Sequence, residues 1–189
     1  MTRAAPGAPL TYHVAALLGE PPGSTRDYDV AGATVAFDDP ELRLADPIEG
    51  RVHVVRTNRG LLVRAGLRTS LAGTCSRCLR DIEIPLELAI VEEVLPSIDL
   101  HTGQPVDTSA EPDVLRLTDH HELELEPAVR DAISLAEPIA PLCEPDCPGL
   151  CLVCGERLTD GPHDHPDEEG DPRLAALRGL RVDGGPETG

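Results

Sequence analysis

Between Ile48 and Leu71 the chain alternates apolar and polar positions, and Thr57-Asn-Arg-Gly60 breaks the alternation. A period of two puts successive side chains on opposite faces of a strand. The pattern predicts a β-hairpin: Ile48–Arg56 runs out with Val52 and Val54 inward, and Leu61–Leu71 returns. Gly60 is expected at the turn position that needs positive φ. After Cys75-Ser-Arg-Cys78 the alternation becomes strict. Ile82, Ile84, Leu86, Leu88 and Ile90 share one face, and Asp81, Glu83 and Glu87 take the other. This is the signature of a half-buried antiparallel strand. Pro85 falls in the outward set and has no N–H for a ladder, which predicts an edge or a bulge there.

The flanking elements are weaker. Residues 10–18 (LTYHVAALL) fit one or two helical turns, stopped by Gly19 to Gly23 with Pro21-Pro22. Residues 27–44 read as extended, with Val30, Val35 and Phe37 inward. Residues 95–122 are acidic and Pro-bearing, a long loop with a short strand at Val114 to Leu117. One amphipathic helix follows. Glu126-Pro127 suits its start, Leu125, Val129, Ala132, Ile133 and Ala136 form its apolar stripe, and Pro138 and Pro141 end it. A last short helix is expected at Pro172 to Leu180. The predicted class is α+β: a small antiparallel sheet, one main helix and Cys-rich loops. The expected division is a disordered stretch over 1–9, a domain over 10–157, and an acidic, His-containing tail over 158–189.

Composition changes this picture in two ways. With no Trp, one Phe and two Tyr, the core lacks large aromatic anchors. The formal charge of −18 disfavours a phosphate-gripping surface, which needs Lys and Arg to displace counterions. Acidity suits a basic protein partner, or simple solubility. Direct RNA contact would need Arg51, Arg56, Arg59, Arg64 and Arg68 to form a patch; the plainer expectation is a solvated hairpin face with local ion pairs. Nineteen Pro and seventeen Gly imply many turns and disordered acidic excursions. No secretion signal or membrane-length apolar run is visible, so a cytoplasmic protein without membrane contact is expected.

In that compartment clustered cysteines read as metal ligands rather than disulfides. All six fall in two clusters: Cys75 and Cys78, then Cys143, Cys147, Cys151 and Cys154. A CxxC turn offers two sulfurs to one ion, and zinc takes four such donors in a tetrahedron. His163 and His165, two apart, can add two nitrogens from an extended segment. Eight ligands suffice for two structural zinc ions. The favoured division joins Cys75, Cys78, Cys143 and Cys147 at one, and Cys151, Cys154, His163 and His165 at the other. A rival division, ribbon-like, joins Cys75, Cys78, Cys151 and Cys154, and spacing alone does not choose. A redox CxxC should open a helix after a strand, whereas Cys75 and Cys78 lie between β runs. A catalytic zinc would keep an open position beside a base; acids near the cysteines are too common to mark one. His13, His53, His101, His120 and His121 read as ordinary structural or solvated positions.

Taken together, CSRCL, LELEPAVRDAISLAEPIAPLC, EPDCPGLCLVCGERL and DPRLAAL resemble the YceD family, the large-ribosomal-RNA-subunit accumulation proteins. The resemblance spans about residues 10–180. It implies a non-enzymatic role in 50S subunit biogenesis through 23S rRNA accumulation, with the subunit precursor, 23S rRNA or a basic ribosomal protein as partner. A zinc-dependent hydrolase or an unrelated zinc-ribbon interaction module are the alternatives. Family branches that keep only a first CxxC and a pair like Cys143/Cys147 support grouping those four. Longer members carry a CxC where this chain has His163-Asp-His165, a change that preserves zinc chemistry.

Overall fold

The computed structural model describes residues 10–99, 102–106, 109, 111–161, 163 and 165. The predicted hairpin is its centre. Strand β3 (Arg43–Arg56) and strand β4 (Leu61–Thr74) pair antiparallel, and β4 pairs antiparallel with β5 (Asp81–Leu95) in unbroken register from Leu61↔Val94 to Thr74↔Asp81. Strand β2 (Thr25–Ala33) flanks β3, and a two-residue β6 (Leu115–Arg116) runs parallel to the end of β5. The sheet order is β2-β3-β4-β5-β6.

One face of this sheet is the core. Val52, Val54, Leu61, Val63, Leu67, Leu88 and Ile90 are buried there, as the period of two predicts, together with Val129 and Ile133 of helix α2 (Glu126–Ala136). Burying each such aliphatic side chain is worth about 1.5–3 kcal/mol, so a core almost without aromatic rings closes on Leu, Ile and Val. Pro85 sits on the outer edge of β5, opposite Ser70, with no register shift. The edge expectation holds and the bulge does not occur. The helix ends as expected: Glu137, before Pro138, has left the helical region (φ −60°, ψ 123°), because a following proline ring disfavours helical ψ. Ala136, expected in the stripe, is exposed; the last turn overhangs the sheet.

Four expectations need correction. Residues 10–18 are not one helix. Thr11–His13 form strand β1, which pairs with β7 (Glu122–Glu124), and only Ala15–Leu18 form a single helical turn, α1. A partner 110 residues away is invisible to local periodicity. Its Tyr12 stacks on Tyr28 of β2, ring centroids 4.5 Å apart. Residues 34–42 are irregular rather than extended strand, though Val35 and Phe37 do pack on the core. The predicted strand at 114–117 shortens to Leu115–Arg116. Gly60 does not adopt positive φ. Glycine is required there by proximity: a Cβ at Gly60 would lie 2.2 Å from the Val94 carbonyl oxygen. The expectations for 1–9 and for a helix at 172–180 fall outside the described residues.

The hairpin arginines are largely committed. Arg51 pairs with Asp29 at 3.1 Å, Arg59 with Glu111 at 2.6 Å and Arg68 with Glu49 at 3.0 Å. Arg56 turns into the hairpin and donates to the carbonyls of Leu18, Thr57 and Gly60. His13 and His53 lie against Glu122 and Asp27. No described helix is long and apolar enough to cross a membrane.

Candidate metal centre

Beyond β4 the chain makes a tight turn, and the same turn recurs seventy-odd residues later. In the first, the N–H of Cys75 donates to the Arg80 carbonyl at 2.8 Å and that of Leu79 to the Cys75 carbonyl at 3.0 Å. In the second, the N–H of Cys151 donates to the Glu156 carbonyl at 2.7 Å and that of Gly155 to the Cys151 carbonyl at 2.9 Å. The two are one knuckle used twice. The geometry needs positive φ just after the second cysteine. Gly155 supplies it at φ 75° and Leu79 adopts it at φ 54°. The first knuckle thus has no glycine at this position and holds a leucine in a left-handed conformation that glycine occupies more cheaply.

Each knuckle finds a different second pair. Cys75, Cys78, Cys143 and Cys147 converge with all four sulfurs within 4.8 Å of one another; Cys151, Cys154, His163 and His165 do the same. The favoured division of the ligands is the one the fold brings together, and the ribbon-like division is not. In the first set Cys75 Sγ lies 3.8 Å from Cys147 Sγ and Cys78 Sγ 3.7 Å from Cys143 Sγ. These separations are far too long for a disulfide. They equal the edge of a sulfur tetrahedron, about 3.8 Å when metal–sulfur bonds are about 2.3 Å.

The second set passes a comparable test. Cys154 Sγ is 3.5 Å from His163 Nδ1, which matches the edge of about 3.5 Å expected between a thiolate and an imidazole on one zinc ion. The other ring nitrogen of His163, Nε2, lies 3.1 Å from the Arg157 carbonyl. An N–H at Nε2 donating to that oxygen leaves Nδ1 as the free lone pair facing the cluster. His165 Nε2 is buried without a hydrogen-bond partner among the described residues. A buried imidazole nitrogen without a partner is costly, and a metal ion would satisfy it. Both sets fit a tetrahedral ion of zinc's chemistry.

Burial separates the two sites. Cys75, Cys78 and Cys147 are buried and Cys143 nearly so, with Ile82 and Leu142 packed against them. The second site is shallower, and Cys154 is exposed. Backbone N–H groups of Cys78, Cys143 and Arg77, together with the Cys78 thiol, pull the Cys75 thiol down to about 6 against the opposing effect of burial. Hydrogen bonding to Cys147, together with burial, pushes Cys143 up to about 12. Burial raises Cys147, and backbone N–H groups of Cys154 and Val153 lower Cys151. Four thiols at one point cannot all ionise without a cation among them.

Residues not anticipated as part of the site hold the sites together. The Ser76 N–H donates to the Pro141 carbonyl at 2.8 Å, and Arg77 donates to the Cys147 carbonyl at 3.0 Å. Arg157 donates to the carbonyls of Cys78 and Leu79 at 2.9 and 3.2 Å, so the second knuckle docks on the first. Arg77 inside the first knuckle and Arg157 just beyond the second were the available signal, but an arginine on an acidic chain reads as a solvated charge until its partner is known.

The profile of the YceD family, described as large ribosomal RNA subunit accumulation proteins, matches residues 63–181, which include both knuckles and all eight candidate ligands. The chain belongs to the YceD family. Among its relatives is an uncharacterized protein of Mycobacterium tuberculosis, 35% identical over 126 residues, spanning 67% of this chain and 58% of that protein. An uncharacterized protein of Mycobacterium leprae is 28% identical over 142 residues, 75% of this chain and 63% of that one. The chain thus spans about three-fifths of the length of these relatives. No solved structure matches the chain.

Proposed function

We propose that this YceD-family chain is a non-enzymatic factor supporting 23S rRNA accumulation and large-subunit assembly, with its fold stapled by two structural zinc ions. The carrying observation is the pair of complete four-donor sets at tetrahedral spacing. A catalytic zinc keeps one position open for water or substrate. Here protein side chains supply all four donors twice over, which favours structural ions and a function on the surfaces they hold. The YceD profile match supports the ribosomal setting, and the acidity of the chain favours a basic partner. The division into a domain over 10–157 and a tail over 158–189 belongs to the same proposal, with His163 and His165 anchoring the tail to the second knuckle.

The test is genetic and chemical together. Deleting the gene should lower 23S rRNA relative to 16S rRNA, and the wild-type chain should restore it while Cys75→Ser does not. An unchanged rRNA ratio on deletion would refute the ribosomal role. Full rescue by a variant shown to bind no zinc would refute the stapling role.

A further inference from the structure

We infer that the outer edge of β5 from Glu87 to Glu93 is a docking site for an extended, basic polypeptide segment, which adds to the sheet as a further strand. The inference deepens the proposed role and rests on it only for the setting in which such a segment is met.

The direction of the backbone follows from hydrogen bonds already in place. The Leu95 carbonyl, on the outer side of β5, accepts from the Leu117 N–H at 3.0 Å. In an antiparallel pair, alternate residues turn both backbone groups away from the partner strand. Glu87, Ala89, Val91 and Glu93 share that parity, as does Pro85, whose missing N–H costs nothing on an outer edge. β6 covers only Val94 and Leu95. Upstream, the Pro138–Pro145 segment lies across a cleft from Ile82–Pro85. Between them, none of the outward backbone groups has a backbone partner among the described residues. Such a row is a template for strand addition.

The side chains beside this row select the occupant. Val91 is 62% exposed and Ala89 is exposed, a short apolar step. Glu87 and Glu93 flank it. Arg68, directly across from Glu87, is taken by Glu49 instead, so no described cation pairs with Glu87. The side chains of Glu87, Ala89, Val91 and Glu93 share one face, so a strand whose same-face residues run basic, small apolar, small apolar, basic would meet both carboxylates and the apolar step in one register. A second copy of this chain would bring glutamates against glutamates at a formal charge of −18 each, which disfavours self-pairing. A nucleic acid offers neither strand backbone nor positive charge.

The test uses the full-length, zinc-loaded protein and a fluorescent Lys/Val peptide, Lys-Thr-Val-Thr-Val-Thr-Lys, whose alternate residues read Lys, Val, Val, Lys on one face, with Glu-Thr-Val-Thr-Val-Thr-Glu and single-stranded RNA as comparators. The Lys/Val peptide alone should bind, and the amides of Glu87, Ala89, Val91 and Glu93 should slow in hydrogen exchange. Val91→Pro, which removes one outward donor, should weaken binding at least about tenfold with zinc content and circular dichroism unchanged. The Glu87→Lys/Glu93→Lys double variant should do the same by charge alone. Absence of binding, equal binding by wild type and both variants, binding without amide protection, or displacement of the peptide by RNA would each overturn the inference. So would slow exchange of these amides in the free protein, the sign that another part of the chain already occupies the edge. None of these outcomes depends on rRNA levels, so failure here and failure of the ribosomal role are distinguishable.

Discussion

Replacing one ligand at each site should give two different molecules. The first site joins Cys78 to Cys143 across 65 residues, so an ion there closes a loop holding β5, β6, β7 and α2. The second joins Cys154 to His163 across 9 residues. Treating each ion as a crosslink, the unfolded-state entropy removed is worth about 4 kcal/mol for the long loop and about 2.6 kcal/mol for the short one. The first figure acts on the whole fold. The second acts on one short segment, which reaches the rest through Arg157 and through the contacts of Arg80 with Thr159 and Asp160. Purified wild type should carry two zinc ions per chain, and Cys75→Ser and Cys151→Ser one each, by elemental analysis after dialysis. In urea, Cys75→Ser should lose most of the long-loop stabilisation, while Cys151→Ser should keep the unfolding free energy of the sheet within about 1 kcal/mol of wild type. A wild type carrying a single ion that either variant abolishes would restore the ribbon-like division and refute the reasoning. Equal destabilisation by the two variants would refute the loop argument.

Leu79→Gly should stabilise the first knuckle by about 1 kcal/mol, because glycine accepts the left-handed conformation without a Cβ penalty; a loss of stability in urea would show that the leucine side chain matters more than its backbone. Gly60→Ala should destabilise by about 2 kcal/mol or more, since its Cβ would meet the Val94 carbonyl oxygen at 2.2 Å and backbone must shift; a neutral result in thermal melts would show the turn to be pliant. Zinc and protons compete for the same sulfurs, so affinity falls as pH falls. Near neutrality the protons displaced at the first site include those of Cys143 and Cys147, held high in the metal-free protein. Once pH drops through about 6, Cys75 must give one up as well. The slope of log affinity against pH should steepen there, measured by competition with a chromophoric chelator; a constant slope would contradict the depressed Cys75 thiol.

Local periodicity determined most of the scaffold. β4 and β5 were legible because each buries one face, and a period of two admits one inward set. α2 was legible because its stripe and its prolines agree. The eight candidate ligands were legible as residue types, since cysteines this clustered have few other uses. Their grouping was left open by spacing, because both candidate partner pairs lie a similarly long way along the chain from Cys75 and Cys78 and only four residues from each other. Tertiary structure decided it by bringing Pro141 beside Ser76 and Cys147 beside Arg77. The pairing of Thr11–His13 with Glu122–Glu124 was likewise decided at long range, where neither partner carries a pattern of its own. Gly60 shows the same division in one residue. The sequence alone determined that a glycine stands in the turn. Only the neighbouring strand decided why, because the constraint is the carbonyl of Val94, which lies beside Gly60 in space and far from it along the chain.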